Sequence, residues 1–240
     1  MRIKEYKEIR IFWGDLKSAI NPDTIRGKLS SELITERPFN EIQKNIHCHA
    51  FAFLNQVHKA EGKIIIGNCS DFPMLTHDGD YLITQEKNVG IGILTADCLP
   101  IIVYDPVQKI ISSIHAGWKG LTRGIIKQVL LQLQQDFFVK LSDLVVMIGP
   151  SADDCCYEVK QDFVDEVHLH YPHTKAFLYT SGTIKFSLVK YLKEIIIENG
   201  LSENQLDVSN FECTICSDHY CSVRKTNKDP NRQLTVVSLK

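Results

Sequence analysis

The chain has 240 residues, and a folded domain of that size can bury roughly 72% of its extended-chain surface, so a self-supporting core is expected. Its 27 Lys and Arg against 29 Asp and Glu give a formal charge of −2, which excludes a general nucleic-acid coat that works through a large positive excess. A content of 44% apolar and 23% charged residues excludes a disordered or fibrous chain, and eight cysteines are too few for a disulfide-stapled scaffold, so reduced thiols in the cytoplasm are expected.

The opening MRIKEYKEIR alternates charge with single apolar residues and has no apolar run of signal-peptide length. Up to Phe51 the pattern is poor and no element is assigned. From Gly62 onward, short Ile- and Val-rich runs follow one another: KIIIGN, YLIT, VGIGILT, PIIVYD, KIISSIHA and LVVMIGP. Their length and β-branched content predict strands buried on one or both faces. None approaches the roughly 20 apolar residues that span a bilayer, so no membrane association is expected. In GLTRGIIKQVLLQLQQ the residues Leu121, Ile125, Val129, Leu130 and Leu133 form one stripe and predict a single amphipathic helix. A weaker helix is expected from Val159 to about His168. Leu188, Tyr191, Leu192, Ile195 and Ile196 predict another, stopped at Asn199-Gly200. RQLTVVSL closes the chain as a strand. No linker, repeat or low-complexity segment divides residues 1–240, so one domain is expected, with residues 1–50 its poorly patterned part. Intermixed strands and helices, some strands adjacent in sequence, predict an α+β fold: a mixed α/β sandwich with mixed sheets flanked by helices.

No GxxxxGK[ST], HExxH or GxSxG occurs, which excludes a Walker phosphate loop, the common zinc-peptidase helix and the hydrolase elbow. The H-x-E of the zinc nucleobase deaminases is also missing. Three segments place a nitrogen or sulfur ligand beside small or polar punctuation: NQVH ending at His58, TADCLP holding Cys98, and HAGWKG starting at His115. Two imidazoles and a thiolate suit Zn²⁺, and three protein ligands leave a fourth position open for catalysis. The same residue types also serve as buried histidines and inert small hydrophobes. Spacing alone leaves both readings standing.

Taken together and in this order, NQVH, TADCLPIIVYDP, IHAGWKGLTRGI, IGPSADDCCYEV and the late Cys…Ser222-Val223-Arg224 segment resemble the laccase-domain or polyphenol oxidase family, reassigned as purine nucleoside phosphorylases. The resemblance runs from about Phe51 to Leu239. It implies a fold similar to that of deamidase toxins and a zinc ion held by His58, Cys98 and His115. The activity it implies is phosphorolysis of adenosine, inosine and methylthioadenosine, with adenosine deamination reported for the family. Purine nucleosides and phosphate are the partners that follow from it.

Phosphorolysis needs groups that hold phosphate near C1′ and stabilise the departing purine. Gly117 to Gly120, at a predicted helix start, offers backbone N–H groups to an anion, and Lys119 lies there too. Arg224, and Arg232 where the family usually shows Gly-Arg, are further phosphate candidates by the resemblance. Cys98 is a catalytic candidate, and Asp97 beside it is the candidate carboxylate for moving a proton in a deamination. Asn231, Lys59 and Lys160 stand where the family has glycine, and its Leu-Asn-Leu-Gly segment is not recognisable before Phe51.

Three other readings remain open. Two His and one Cys also bind copper, and His47-Cys48-His49 and His168-Leu169-His170 resemble the paired histidines of a copper-dependent polyphenol oxidase. Cys98 and His115 could form the thiolate–imidazole pair of a cysteine hydrolase, and the family has been linked to peptidoglycan precursor editing. Cys213, Cys216, His219 and Cys221 are spaced too tightly for paired zinc knuckles and read as ordinary thiols. Cys155-Cys156 is expected to pack beneath the Gly149-Pro150 turn.

Overall fold

The structure, a computed structural model, describes residues 2–180, 182–226 and 229–240. The chain opens with β1 (Arg2–Tyr6) and β2 (Ile9–Trp13), two short helices α1 (Ser30–Leu33) and α2 (Phe39–Ile46), and β3 (Ala50–Phe53). Its middle supplies β4 (Gly62–Ile65), β5 (Tyr81–Thr84), β6 (Val89–Thr95), β7 (Leu99–Asp105), β8 (Ile110–Ala116), α3 (Trp118–Thr122), α4 (Ile125–Phe137) and β9 (Val145–Ile148). Then come β10 (Glu158–Val159), α5 (Gln161–His170), β11 (Phe177–Thr180), β12 (Thr183–Phe186), α6 (Leu188–Glu198), β13 (Leu206–Asp207), α7 (Val223–Thr226) and β14 (Gln233–Leu239).

These strands build one sheet in the order β1-β2-β14-β6-β3, a second in the order β13-β9-β7-β8-β5-β4, and a small third, β10-β12-β11. Parallel pairs (β3 with β6, β4 with β5, β13 with β9) sit among antiparallel ones, the mixture expected of an α+β sandwich. The two-residue side-chain period of a strand decides the layers. Along β7, Ile101 and Val103 point into a core completed by α4 and α6, whereas Ile102 and Tyr104 point into a second core between the two large sheets. On the far side of the five-stranded sheet, Phe12, Phe51 and Phe53 pack against Phe39, Ile42 and Ile46 of α2. The result is a helix, sheet, sheet, helix stack. β6, β7 and β8 are buried along their whole length, which is why β6 and β7 read as nearly continuous apolar runs, while β8 buries Ser112, Ser113 and His115 as well.

Two helices depart from the pattern expected of them. The stripe over residues 120–135 is split into α3 and α4 at Gly124, whose φ of +80° is left-handed; the stripe survives because Leu121 and Ile125 reach the same core from either side of the break. The helix expected from Val159 is α5, starting at Gln161, because Val159 pairs with Ile184 in the small sheet. α6 ends as anticipated, with Gly200 at φ +91°. Among the described residues, no helix is long and apolar enough to cross a membrane.

Candidate functional site

β6 of the five-stranded sheet ends, and β7 of the six-stranded sheet begins beside the end of β8, where the 96–98 connection meets the 55–59 segment. NQVH is held against the end of β6 by Gln56, whose amide donates to the Leu94 carbonyl at 2.7 Å and accepts from the Leu94 N–H at 2.7 Å, as a paired strand would. His58 follows in a left-handed conformation, φ +58°. His115 lies near the end of β8, opposite Pro100 of β7, and Cys98 immediately precedes β7. The ligand atoms of His58, Cys98 and His115 all lie within 4.8 Å of one another. Cys98 Sγ is 3.8 Å from His58 Nε2, and the two imidazole rings meet edge to face at 4.7 Å.

A buried carboxylate that the sequence reading had not singled out organises this group. Asp80 Oδ1 lies 2.8 Å from His115 Nδ1, with the two side chains 0% and 3% exposed. Its oxygens also accept the backbone N–H groups of Val57, His58 and Lys59 at 3.2, 3.0 and 2.8 Å. One side chain therefore orients His115, leaving Nε2 for the ligand group, and holds the loop that carries His58; carboxylate–histidine pairs do the same at metal sites. Burial raises the Asp80 pKa, but the bonds from His115 and this loop lower it further, and the carboxyl stays below its usual range. The only sequence signal is an acidic residue immediately before a strand, in HDGDYLIT.

Burial also opposes the Cys98 thiolate, but the His115 charge and bonds from both imidazoles prevail and bring its pKa down to about 6. His115 moves the opposite way: burial lowers its pKa, and the Cys98 charge with the Asp80 bond raises it to about 9. The pair favours an ionised sulfur, the form that binds a cation. Gly117 is required by closeness. A Cβ there would stand 3.0 Å from Cys98 Sγ and 3.1 Å from His58 Cδ2.

The trio sits where two lobes of a cleft meet. One lobe, about 490 Å³, is walled by Trp118, Lys119, Arg123, Tyr157 and Arg224; the other, about 290 Å³, by Arg26, Asn55, Gln56 and Arg232. Arg224 lies over the Tyr157 ring at 4.7 Å and Lys119 beside Trp118 at 5.5 Å. Arg232 enters the second lobe while donating to the carbonyls of Asp229 and Asn231. The helix start expected to offer N–H groups beside Lys119 belongs to α3, only five residues long, so its dipole is correspondingly small.

Asp97 borders the first lobe with φ +83°, a conformation that strains a side chain other than glycine. Both its carboxylate oxygens are engaged, Oδ1 by the Thr214 hydroxyl at 2.7 Å and Oδ2 by the Arg224 N–H at 2.8 Å. This carboxylate braces the loop that carries Arg224.

Residues 34–240 match the family described as multi-copper polyphenol oxidoreductase laccase. The chain belongs to that family. A purine nucleoside phosphorylase of Clostridium acetobutylicum is 31% identical over 77% of this chain and 75% of its own length. Another, from Borreliella burgdorferi, is 31% identical over 84% of this chain and 90% of its own. YlmD of Geobacillus stearothermophilus matches in structure with a TM-score of 0.71 at 26% identity, over 79% of this chain and 73% of that one. Bacillus licheniformis YfiH, at 22% identity, shares the fold over 98% of this chain and 94% of its own, with a TM-score of 0.82.

The name of the laccase family presumes copper, so the paired histidines matter. Among the described residues, neither His47 and His49 nor His168 and His170 joins a group of convergent ligands. The first pair follows the end of α2 and the second lies on α5. A further residue missed in the sequence is Arg123, inside the HAGWKGLTRG run, whose guanidinium donates to the His58 carbonyl at 3.0 Å.

Proposed function

We propose that this laccase-family chain is a zinc-dependent purine nucleoside phosphorylase, with His58, Cys98 and His115 as the metal ligands. The observation that carries this reading is the convergence of two imidazoles and one depressed thiol at the junction of a two-lobed, cation-lined cleft. The donors fit zinc: borderline-soft nitrogen and sulfur, three in number, with a carboxylate behind one of them. The names of the two relatives from Clostridium and Borreliella support the same reaction class. When bound, zinc supplies a Lewis-acid centre of about +1 net of the thiolate, which favours an anionic reactant or a developing negative charge.

In phosphorolysis a phosphate oxygen forms a bond to C1′ as the C1′–N9 bond breaks; the products are ribose 1-phosphate and the purine, which keeps the electron pair and takes up a proton. The chain's part is to hold three things together. Trp118 and Tyr157 offer aromatic surfaces for the base, and Arg224 and Lys119, each against one of these rings, put positive charge nearby. Arg26 and Arg232 provide cations in the second lobe, so base and phosphate can be held on opposite sides of the ribose. Deamination has less support, because the names of these two relatives carry phosphorolysis alone.

The test joins elemental analysis of purified protein to assays on inosine, adenosine and methylthioadenosine with and without phosphate. Zinc in the preparation, purine release that requires phosphate, and loss in Cys98→Ser of turnover together with the zinc held at the cleft are expected. Phosphate-independent ammonia release, copper-dependent oxygen uptake with phenols, or turnover retained in Cys98→Ser would overturn the reading.

A further inference from the structure

Away from the cleft, a second group of sulfur atoms comes together. Cys155 and Cys156 lie in the turn after β9, and Cys213 and Cys216 in the loop after β13. A parallel bridge between Ser151 and Cys213 sets these loops side by side; Ser151 N donates to the Glu212 carbonyl at 3.1 Å and Thr214 N to the Ser151 carbonyl at 3.0 Å. All four Sγ atoms lie within 4.8 Å of one another. Cys216 Sγ is 3.2 Å from that of Cys155 and 2.9 Å from that of Cys156.

Cys155 is exposed and Cys156 half-buried, so the pair is not packed away beneath the preceding Gly149-Pro150 turn; the side chain against Gly149 is Trp13, 2.3 Å from where a Cβ would stand. Cys221 is buried elsewhere, and neither it nor His219 belongs to the group.

Hydrophobic packing does not account for the cluster, since Cys155 and Cys216 are exposed and the other two only half-buried. Covalent pairing does not either, because the contacts are well beyond the ~2.05 Å of a disulfide. Four sulfurs facing one another at this range, on two loops held in register, are a donor set for a soft or borderline cation. Cys213-Thr214-Ile215-Cys216 has the two-residue spacing of a zinc knuckle, and Ser217 N donates to the Cys213 carbonyl at 3.2 Å to close the turn.

We propose that Cys155, Cys156, Cys213 and Cys216 bind a second zinc ion, a closed tetrathiolate site that clamps the loop after β9 to the loop after β13. Zinc–sulfur bonds of ~2.3 Å put tetrahedral sulfurs roughly 3.8 Å apart, so the closest pairs need to open by about half an ångström to one ångström. Four protons pass to solvent as four zinc–sulfur bonds form, and no electron is transferred. The product carries a formal −2, with Lys185 close by, its Nζ donating to the Cys155 carbonyl at 2.6 Å. The clamped loops also serve the cleft: Thr214, next to Cys213, bonds Asp97, and Tyr157, next to Cys156, carries Arg224.

The test is metal counting on full-length protein prepared with reductant and zinc and then dialysed against metal-free buffer. Cys98→Ser is expected to retain one zinc per chain, and Cys98→Ser combined with Cys216→Ser to retain none. Cobalt-loaded Cys98→Ser should show the strong near-ultraviolet thiolate-to-cobalt charge transfer of an all-sulfur site. Should the double variant fail to fold, alkylation of the single variant mapped by mass spectrometry reads the same site, zinc shielding all four sulfurs at once. A folded Cys98→Ser protein that holds no metal, a cobalt spectrum without thiolate charge transfer, or a disulfide within the cluster in zinc-treated, reduced protein would overturn the proposal. Because Cys98 is absent throughout, the outcome is independent of the function assigned to the cleft.

Discussion

The two sulfur-bearing groups of this chain differ in the way that separates a reacting site from a fastening. At the cleft, three donors of two kinds hang from the ends of buried strands and loops, and a carboxylate with almost no exposure orients one of them. At the surface, four donors of one kind lie on two loops joined by a single bridge. Three donors leave a coordination position for a reactant, and four close it. The contrast teaches that the cysteine count of a chain says little until the partners of each sulfur are known.

The sharpest way to break the contrast is to exchange the loss. Cys98→Ser should reduce phosphorolysis by more than the ~10²-fold that removing an orienting partner can cost, with little change in melting temperature. Cys216→Ser should keep turnover within about tenfold and lower the melting temperature, each kcal/mol costing about 2–4 °C for a chain of this size. Steady-state kinetics and thermal melts on the same preparations decide; equal kinetic losses would erase the distinction.

Next in size is Asp80→Asn, which keeps the shape but removes the charge that His115 and the Val57 to Lys59 N–H groups share. Zinc affinity at the cleft should fall by about 10–100-fold in a chelator competition, while the surface cluster holds its metal unchanged. Gly117→Ala comes third, because its new methyl crowds Cys98 and His58 together. A cost of about 1–3 kcal/mol is expected for such overpacking, seen as weaker zinc binding with the rest of the chain as stable as before.

The smallest effect is a matter of pH. In metal-free protein the rate of Cys98 alkylation should rise with pH and reach half its maximum near 6, whereas Cys155, held far above its ordinary range, should stay slow through neutrality. The depressed Cys98 contributes stability above its unfolded value of 9.0 that is lost as pH falls through about 6. The raised His115 contributes stability below its unfolded value of 6.5 that is lost as pH rises through about 9. Between those limits the two slopes oppose each other, and the metal-free melting temperature should be nearly level there. A steep slope in that window would show that the two groups do not act as a pair.

The central strands were legible because burial on both faces writes itself as Ile and Val, and β5 to β8 fall within one residue of the runs read from the sequence. Helix boundaries were less so: a stripe that continues from Leu121 to Ile125 hides the left-handed turn at Gly124. The first fifty residues carried no pattern because their elements are short and β1 is largely exposed. At the site, His58, Cys98 and His115 stood out by residue type and punctuation. Asp80 did not, since its role lies in four hydrogen bonds to residues that lie 21 to 35 positions away. Nor could spacing place Cys155 beside Cys216, 61 positions along, because it is the bridge at Ser151, between loops distant in sequence, that sets them side by side.

The position of β14 has a consequence for biosynthesis. It occupies the middle of its sheet, between β2 and β6, yet it leaves the ribosome after both. Until residue 239 emerges, two long apolar strands wait with unpaired backbone edges, the arrangement that invites pairing between nascent chains. Shortening the chain from that end removes the sheet's central seam, so a truncated product should be aggregation-prone throughout instead of merely frayed at one margin.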